Sequence, residues 1–166
     1  MRVYLPATID MLRDLNTSGE FRARSGTGFA LTPALRESYA SGSDEELEYA
    51  ALLDAARASL RLISATEKPE DLPPRRVVIS ADVDDATLRP DLDYAVVRLN
   101  GPVSLAQIAA IHVDASEAEP AVLDAARAID AADLGDPDAE FILGEAEDHE
   151  LAWYAAQELP FLLELL

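Results

Sequence analysis

Residues 75–83, RRVVISADV, carry the clearest strand pattern in this chain of 166 residues. The segment is short and rich in β-branched side chains, and Pro73 and Pro74 end any helix that would run into it. We therefore predict a β-strand over Arg75–Val83. The preceding linker, 64–76, is predicted to be an exposed loop because its prolines forbid a continuous helix.

Three more segments share this pattern of short, β-branched runs between chain-breaking residues, and we predict strands there as well. They are Arg2–Leu5, Ala95–Asn100 and Ala110–Asp114. Within the last segment, side chains alternate between the two faces of the sheet, so Ile111 and Val113 share one face and His112 lies on the other.

Helical patterns with N-terminal capping residues separate the predicted strands. Thr8 begins a helix that ends near Gly19, and Thr32 begins another. The longest helix is predicted from about Asp44 to Ile63, with a stripe of residues on its buried face. That stripe comprises Tyr49, Leu52, Ala56, Leu60 and Ile63. Capping-box spacing occurs at Ser43…Glu46, Ser104…Gln107 and Ser116…Glu119.

This order of elements predicts a single α/β (α+β) domain over residues 1–166, with a central sheet of about four strands flanked by helices. It is similar to the split βαβ, or ferredoxin-like, plan with extra helices inserted early and added late.

Composition narrows the classes of function. The chain has no cysteine, which excludes disulfides and thiolate metal sites and favours a cytoplasmic protein. No signal peptide and no run of about 18 apolar residues is present, so we expect no membrane association.

The C-terminal segment 158–166, ELPFLLELL, is apolar but short, and we expect it either to fold back onto the core or to form a homo-oligomer contact.

The net charge of −19 is concentrated in the second part of the chain, because residues 99–166 contain 15 acidic residues and only one basic residue, Arg127. Such a chain repels phosphate backbones, so we expect no nucleic-acid binding unless Arg22, Arg24, Arg75 and Arg76 gather locally. A basic protein partner is compatible with this charge.

Residues 146–154, AEDHELAWY, contain His149-Glu150, the first half of the zinc-peptidase pattern H-E-x-x-H. The second histidine position is Trp153, and the di-iron pattern E-x-x-H fails because position 146 is alanine. We therefore predict no metal and no cofactor here, and instead an acidic, amphipathic helix that begins at Glu145. On that helix Trp153 would be at least partly buried and His149 would lie at the margin of the apolar face.

Polar and aromatic side chains beside a buried face are where small-molecule pockets form. The candidate pocket residues are Glu48, Tyr49, His149, Trp153 and Tyr154. A second candidate follows the predicted strand at 75–83, where Asp82, Asp84 and Asp85 are weak candidates for a divalent cation. As a calcium loop they lack the turn glycine and a third spaced ligand, so a solvated acidic loop is the favoured interpretation.

Segment 24–33, RSGTGFALTP, has Gly26 and Gly28 but lacks the third glycine of a dinucleotide fingerprint. It is predicted to be a turn leading into Phe29–Leu31.

Four stretches together resemble a family of bacterial proteins from high-GC Gram-positive organisms, catalogued as a domain of unknown function. They are MRVYLPAT at 1–8, FALTPALRE at 29–37, RRVVISADV at 75–83 and DHELAWYAAQEL at 148–159. The resemblance covers the whole chain and implies one intact cytoplasmic domain, without assigning an activity or catalytic residues.

Two hypotheses of function follow. The first is a soluble interaction or regulatory module without catalytic activity, which contacts a protein partner through its acidic half or apolar tail. The second is an enzyme acting on a small molecule, or weakly dependent on a metal, with a cleft near His149. The first is favoured because no catalytic constellation is complete in the sequence.

Overall fold

A computed structural model describes residues 1–66 and 72–166. Within these residues, nine strands and six α-helices are connected by loops and short 3-10 turns. The strands are β1 (Arg2–Ala7), β2 (Glu20–Phe21), β3 (Thr27–Phe29), β4 (Val77–Asp82), β5 (Ala86–Leu88), β6 (Val96–Leu99), β7 (Val103–Ser104), β8 (Ile108–Asp114) and β9 (Leu151–Tyr154). The helices are α1 (Ile9–Ser18), α2 (Pro33–Ser38), α3 (Asp44–Ser64), α4 (Glu119–Asp133), α5 (Pro137–Glu147) and α6 (Leu159–Leu165).

Seven strands form one sheet in the order β5-β6-β3-β1-β4-β8-β9, and every neighbouring pair is antiparallel. Strands β2 and β7 form a separate two-stranded sheet. The α+β class and all four predicted strands are confirmed, as β1, β4, β6 and β8. The sheet is nevertheless larger than predicted, because β3, β5 and β9 are too short to show a pattern of their own.

The ferredoxin-like plan does not describe this sheet. That plan separates the first and second of its four strands and places the fourth beside the first. Here the first predicted strand (β1) pairs directly with the second (β4), and the fourth (β8) pairs with β4 on its other side. The difference arises because β3, which the sequence analysis assigned to a turn, occupies the other edge of β1.

Helices cover both faces of the sheet. On the first face, α1 and α6 pack against the odd-numbered side chains of β1 and β4 through Leu12, Leu15, Leu159 and Leu162. On the second face, α3 packs on β1, β3 and β4, and α4 and α5 pack beside α3. The C-terminal segment thus folds back onto the core, one of the two expected outcomes, although Phe161 and Leu165 of α6 are exposed.

Three of the predicted helix starts are confirmed, whereas Ser104 and Ser116 stand at short 3-10 turns and α4 begins only at Glu119. The side-chain hydroxyls of Thr8, Thr32 and Ser43 accept backbone N–H hydrogen bonds at the N-termini of α1, α2 and α3. Gly19 ends α1 in the left-handed conformation that favours glycine. Residues 67–71 of the predicted linker lie outside the described residues. Within the described residues, no helix is both long enough and apolar enough to span a membrane.

Candidate functional site

Chemically active side chains gather on the second face of the sheet, where β1, β4, β8 and β9 lie side by side. Strand register places the strand residues on this face, since residues that pair across neighbouring strands point the same way, and Glu48 joins them from α3. We call this set the His112 patch. It comprises Arg2, Tyr4, Glu48, Ser80, Asp82, His112 and Trp153.

The centre of the His112 patch is a hydrogen bond between Ser80 Oγ and His112 Nε2, which are 2.7 Å apart. Ser80 is 2% exposed, and its hydroxyl has no other partner among the described residues. Ser80 therefore donates its proton to Nε2, because the opposite arrangement would leave a buried hydroxyl proton without an acceptor. The imidazole then carries its own proton on Nδ1.

The Nδ1 atom of His112 reaches solvent. It makes no hydrogen bond to the described residues, yet no buried side-chain nitrogen or oxygen in that part of the chain lacks a partner. His112 is thus a neutral imidazole whose Nδ1–H is an accessible hydrogen-bond donor on the second face of the sheet.

Two further polar pairs border the histidine. Arg2 donates to Asp82 through Nε at 2.7 Å and Nη2 at 3.1 Å, and this pairing holds the pKa of the Asp82 carboxyl below its ordinary value. Tyr4 donates to Glu48 Oε2 at 3.3 Å. Burial of the phenol, together with the nearby negative charge of Glu48, raises the pKa of Tyr4 to about 12. Tyr4 therefore remains a neutral hydrogen-bond donor near pH 7.

Burial lowers the pKa of His112 to about 4, and the positive charge of Arg2 contributes in the same direction. In the unfolded chain the pKa of a histidine is about 6.5. Between these two values the unfolded chain binds more protons than the folded one, so folding becomes less stable as the pH falls from 6.5 towards 4.

We therefore expect the free energy of unfolding to be lower at pH 5 than at pH 7, with a contribution from His112 on the order of 1 kcal/mol. Replacing His112 with glutamine should remove that part of the pH dependence. Urea unfolding of both proteins at the two pH values tests this. A glutamine variant with the same pH dependence as the parent protein would contradict the assignment.

Trp153 lies on β9, the last strand of the sheet, and pairs directly with His112 on β8. Its side chain points to the second face, and 62% of the residue is exposed. Tyr154, the next residue, points to the first face and packs against the core there.

The prediction of a helix that begins at Glu145 is wrong. Helix α5 begins earlier, at Pro137, where Asp136 caps its N-terminus, and it ends at Glu147. The segment LAWY then forms strand β9 rather than a second turn of helix. Pairing with β8 decides this structure, because tertiary contacts override the weak local helix preference of a short apolar segment. Trp153 is consequently more exposed than predicted.

The five predicted pocket residues are not brought together. Glu48 and Trp153 belong to the His112 patch, whereas Tyr154 lies on the opposite face of the sheet. Tyr49 is 47% exposed on α3. His149 lies in the turn between α5 and β9, where its backbone carbonyl accepts a hydrogen bond from Arg76 Nη2 at 2.8 Å. No shared cleft around His149 results from these positions.

The three aspartates of the cation candidate separate as well. Asp82 is occupied by Arg2, while Asp84 and Asp85 border a cavity of about 270 Å³ with Asn100 and Gln107. In residues 1–66 and 72–166, no three side chains of histidine, aspartate or glutamate are grouped so that they could hold a metal ion.

The arginines named in the sequence analysis do not form one basic surface. Arg75 pairs with Glu119, and Arg76 forms a buried pair with Asp114. Arg22 and Arg24 lie elsewhere, in the segment between β2 and β3.

Sequence reasoning missed Arg2, Tyr4 and Ser80 as members of a site. Alternation along the predicted strands placed His112 correctly on the face opposite Ile111 and Val113. The same alternation along β1 would have placed Arg2 and Tyr4 on one face of the sheet. The contact between Ser80 and His112 depends on the pairing of β4 with β8, and no local pattern encodes it.

A family model described as "Family of unknown function (DUF6912)" matches residues 1–163. No curated protein and no solved structure matches the chain.

Proposed function

We propose that this chain, which belongs to that family of unknown function, is a non-catalytic protein-interaction module of the cytoplasm. The proposal rests on the geometry of the sheet edge. The free edge of β9 accepts an extended, basic segment of a partner protein as an additional strand, and Trp153 anchors it. The observation that carries this proposal is the exposed indole of Trp153 on β9, a strand whose outer edge is free within the described residues.

Strand β9 has one neighbour in the sheet, β8, so its outer edge is free within the described part of the chain. The backbone N–H and C=O groups along a free edge can pair with a further strand. Such strand addition is a recurring way of binding extended peptides, in which backbone hydrogen bonds supply affinity and side chains supply specificity.

Trp153 has the properties of an anchor residue. Tryptophan is enriched among residues that dominate binding energy, and an indole with most of its surface in water gains by being covered. On the same face His112 presents its Nδ1–H donor one strand away, so a partner that covers Trp153 also meets a hydrogen-bond donor.

Charge around β9 selects a basic partner. The acidic residues next to the strand are all exposed, and the chain contains no lysine or arginine after Arg127. They are Glu145, Glu147, Asp148, Glu150 and Glu158. Opposite charge on the partner would steer association and fix the register of the added strand.

The geometry favours binding over catalysis. A serine–histidine pair suggests a nucleophile and its base, but Ser80 is buried beneath the sheet surface and its hydroxyl is used to orient the imidazole. Among the described residues no carboxylate contacts Nδ1 of His112, so the third member of a catalytic triad is lacking.

The absence of cysteine in the sequence supports the cytoplasmic location.

The proposal predicts that an eight-residue peptide of alternating valine and arginine binds, whereas its valine–glutamate counterpart does not. Trp153 is the only tryptophan of the chain, so its fluorescence reports directly on occupation of the edge. Methylation of the backbone nitrogens on one side of the basic peptide should abolish binding, because it removes the hydrogen bonds of strand addition.

Replacing Trp153 with alanine should weaken binding of the basic peptide by about tenfold or more, measured by calorimetry, with little change in thermal stability. Phe141→Ala is the matched control, since Phe141 is an aromatic side chain that is 71% exposed and belongs to α5 rather than to the edge strand. Equal binding of both peptides, or equal losses in the two variants, would overturn the proposal.

A further inference from the structure

The arginines that lack an ion pair reveal a second feature that the proposed function does not use. Within the described residues, eight arginines form ion pairs with carboxylates. Arg22, Arg24, Arg98 and Arg127 do not, although acidic residues outnumber basic ones 32 to 13 in the chain. Arg22 is exposed and borders a cavity together with Asp14 and Glu20. Arg24 and Arg98 are also exposed, and they belong to the region where β3 pairs with β6.

Arg24 and Arg98 are held close together by the backbone. The backbone carbonyl of Arg24 accepts the N–H of Thr27, and Thr27 pairs directly with Arg98 across β3 and β6. The stem of Arg98 lies over the turn, because a methyl group on Gly26 would come within 3.6 Å of Arg98 Cγ. A side chain at Gly26 would also lie 3.0 Å from the carbonyl oxygen of Leu99, so the approach requires glycine.

Residues with hydroxyl side chains are the strand neighbours of Arg98. Thr27 and Thr87 pair with Arg98 from its two neighbouring strands, so all three side chains point to the same face. Ser25 lies between Arg24 and Gly26 and adopts a φ of 58°, the only positive φ of a non-glycine residue in the described ranges. This conformation costs on the order of 1 kcal/mol and persists where the surrounding structure requires it.

We propose that this arginine–threonine patch, formed by Arg24, Ser25, Thr27, Thr87 and Arg98, binds the phosphate group of a small molecule. Guanidinium groups bind phosphate oxygens in a bidentate manner, and hydroxyls donate to the remaining oxygens. The ligand is small because the net charge of −19 repels an extended polyanion such as a nucleic acid, whereas two guanidinium groups suffice for a single phosphate. The carboxylate of Asp91, whose pKa is lowered by its hydrogen bonds with Arg89 and also by the charge of Arg98, lies near the patch but is already paired with Arg89.

Titration with inorganic phosphate and with glycerol phosphate, followed by backbone amide NMR at constant ionic strength, tests the proposal. We expect shifts of residues 24–27, 87 and 98 that saturate, with sodium chloride giving none. Tighter binding of the ester would identify a phosphorylated metabolite as the ligand, and equal binding would identify free phosphate. Absence of saturable shifts with both probes would overturn the site.

Variants separate this site from general electrostatic attraction. Arg24→Gln and Arg98→Gln should each weaken phosphate binding by about tenfold. Arg127→Gln removes an equal charge from an exposed position on α4 and should leave binding unchanged. Thr87→Val keeps the charge and should still weaken binding, by about threefold. Equal effects of Arg127→Gln and Arg98→Gln would refute a specific site. None of these results depends on whether β9 binds a peptide.

Discussion

Replacing Asp114 with alanine is expected to lower the free energy of unfolding by about 3–5 kcal/mol, because it leaves the charge of Arg76 buried and unpaired. Each of these two residues has only 1% of its surface exposed. The two oxygens of Asp114 accept hydrogen bonds from Nε and Nη2 of Arg76 at 2.8 Å, and Oδ2 also accepts the backbone N–H of Arg76 at 2.8 Å.

Asp91→Ala is the matched control for Asp114→Ala. Asp91 also forms two hydrogen bonds with one arginine, Arg89, but on the surface, where water screens the ion pair and its removal should change stability little. Urea unfolding followed by circular dichroism measures both variants. A double variant, Arg76→Met with Asp114→Leu, should regain much of the lost stability, since replacing both charges removes the unpaired one. If Asp114→Ala and Asp91→Ala have the same free energy of unfolding, the buried ion pair of Arg76 and Asp114 does not matter more for stability than the surface pair, and the prediction is wrong.

The same ion pair connects the fold to the proposed function. Arg76 lies just before β4 and Asp114 ends β8, while the second donor on Arg76 Nη2 binds the carbonyl of His149 just before β9. One guanidinium thus fixes the start of the edge strand to the middle of the sheet. Trp153 is held in place by this connection as well as by its pairing with His112.

The sequence predicted those elements whose information is local. The strand over 75–83 and the helix from Asp44 are confirmed because β-branched runs and capping hydroxyls act within a few residues. Strand β9 was not predicted, since four residues of mixed apolar and aromatic character become a strand only when β8 supplies hydrogen bonds. The size of the sheet was underestimated for the same reason.

The residues named from the sequence as a pocket lie in different places. Trp153 and Glu48 do lie in the His112 patch, but Tyr154 cannot join them, because consecutive residues of a strand point to opposite faces. His149 was considered for a site because His149-Glu150 resembles the first half of a metal motif. In the structure its backbone carbonyl, rather than its ring, accepts a hydrogen bond, from Arg76. The fold instead controls the environment of His112, whose pKa is lowered by burial.

In helix α3 the periodic pattern of apolar residues did not predict correctly which side chains are buried. The predicted stripe included Tyr49, which is exposed, whereas Leu60 is buried as predicted. Ser59 was not considered for the core, yet it is fully buried where α3 crosses the ends of β1 and β4. A small polar residue can occupy such a position only if the structure supplies its hydrogen bonds.

Replacing Ser59 with alanine is expected to lower the free energy of unfolding by about 2–4 kcal/mol, more than the loss of a typical hydrogen bond. The hydroxyl of Ser59 donates to the carbonyl of Ala7 at 2.8 Å and accepts the N–H of Val77 at 3.1 Å. Alanine would leave both backbone groups without this partner inside the protein, and each buried, unsatisfied group costs about 1–3 kcal/mol.

Ser64→Ala provides the control, because Ser64 ends the same helix and is exposed, so its replacement should change stability by less than about 0.5 kcal/mol. Urea unfolding gives the two free energies, and hydrogen exchange of the Val77 amide locates the effect. This amide should exchange faster in Ser59→Ala than in the parent protein, since opening of the contact between α3 and β4 exposes it first. If Ser59→Ala is as stable as Ser64→Ala, the carbonyl of Ala7 and the N–H of Val77 do not need the serine hydroxyl as a hydrogen-bond partner, and the prediction is wrong.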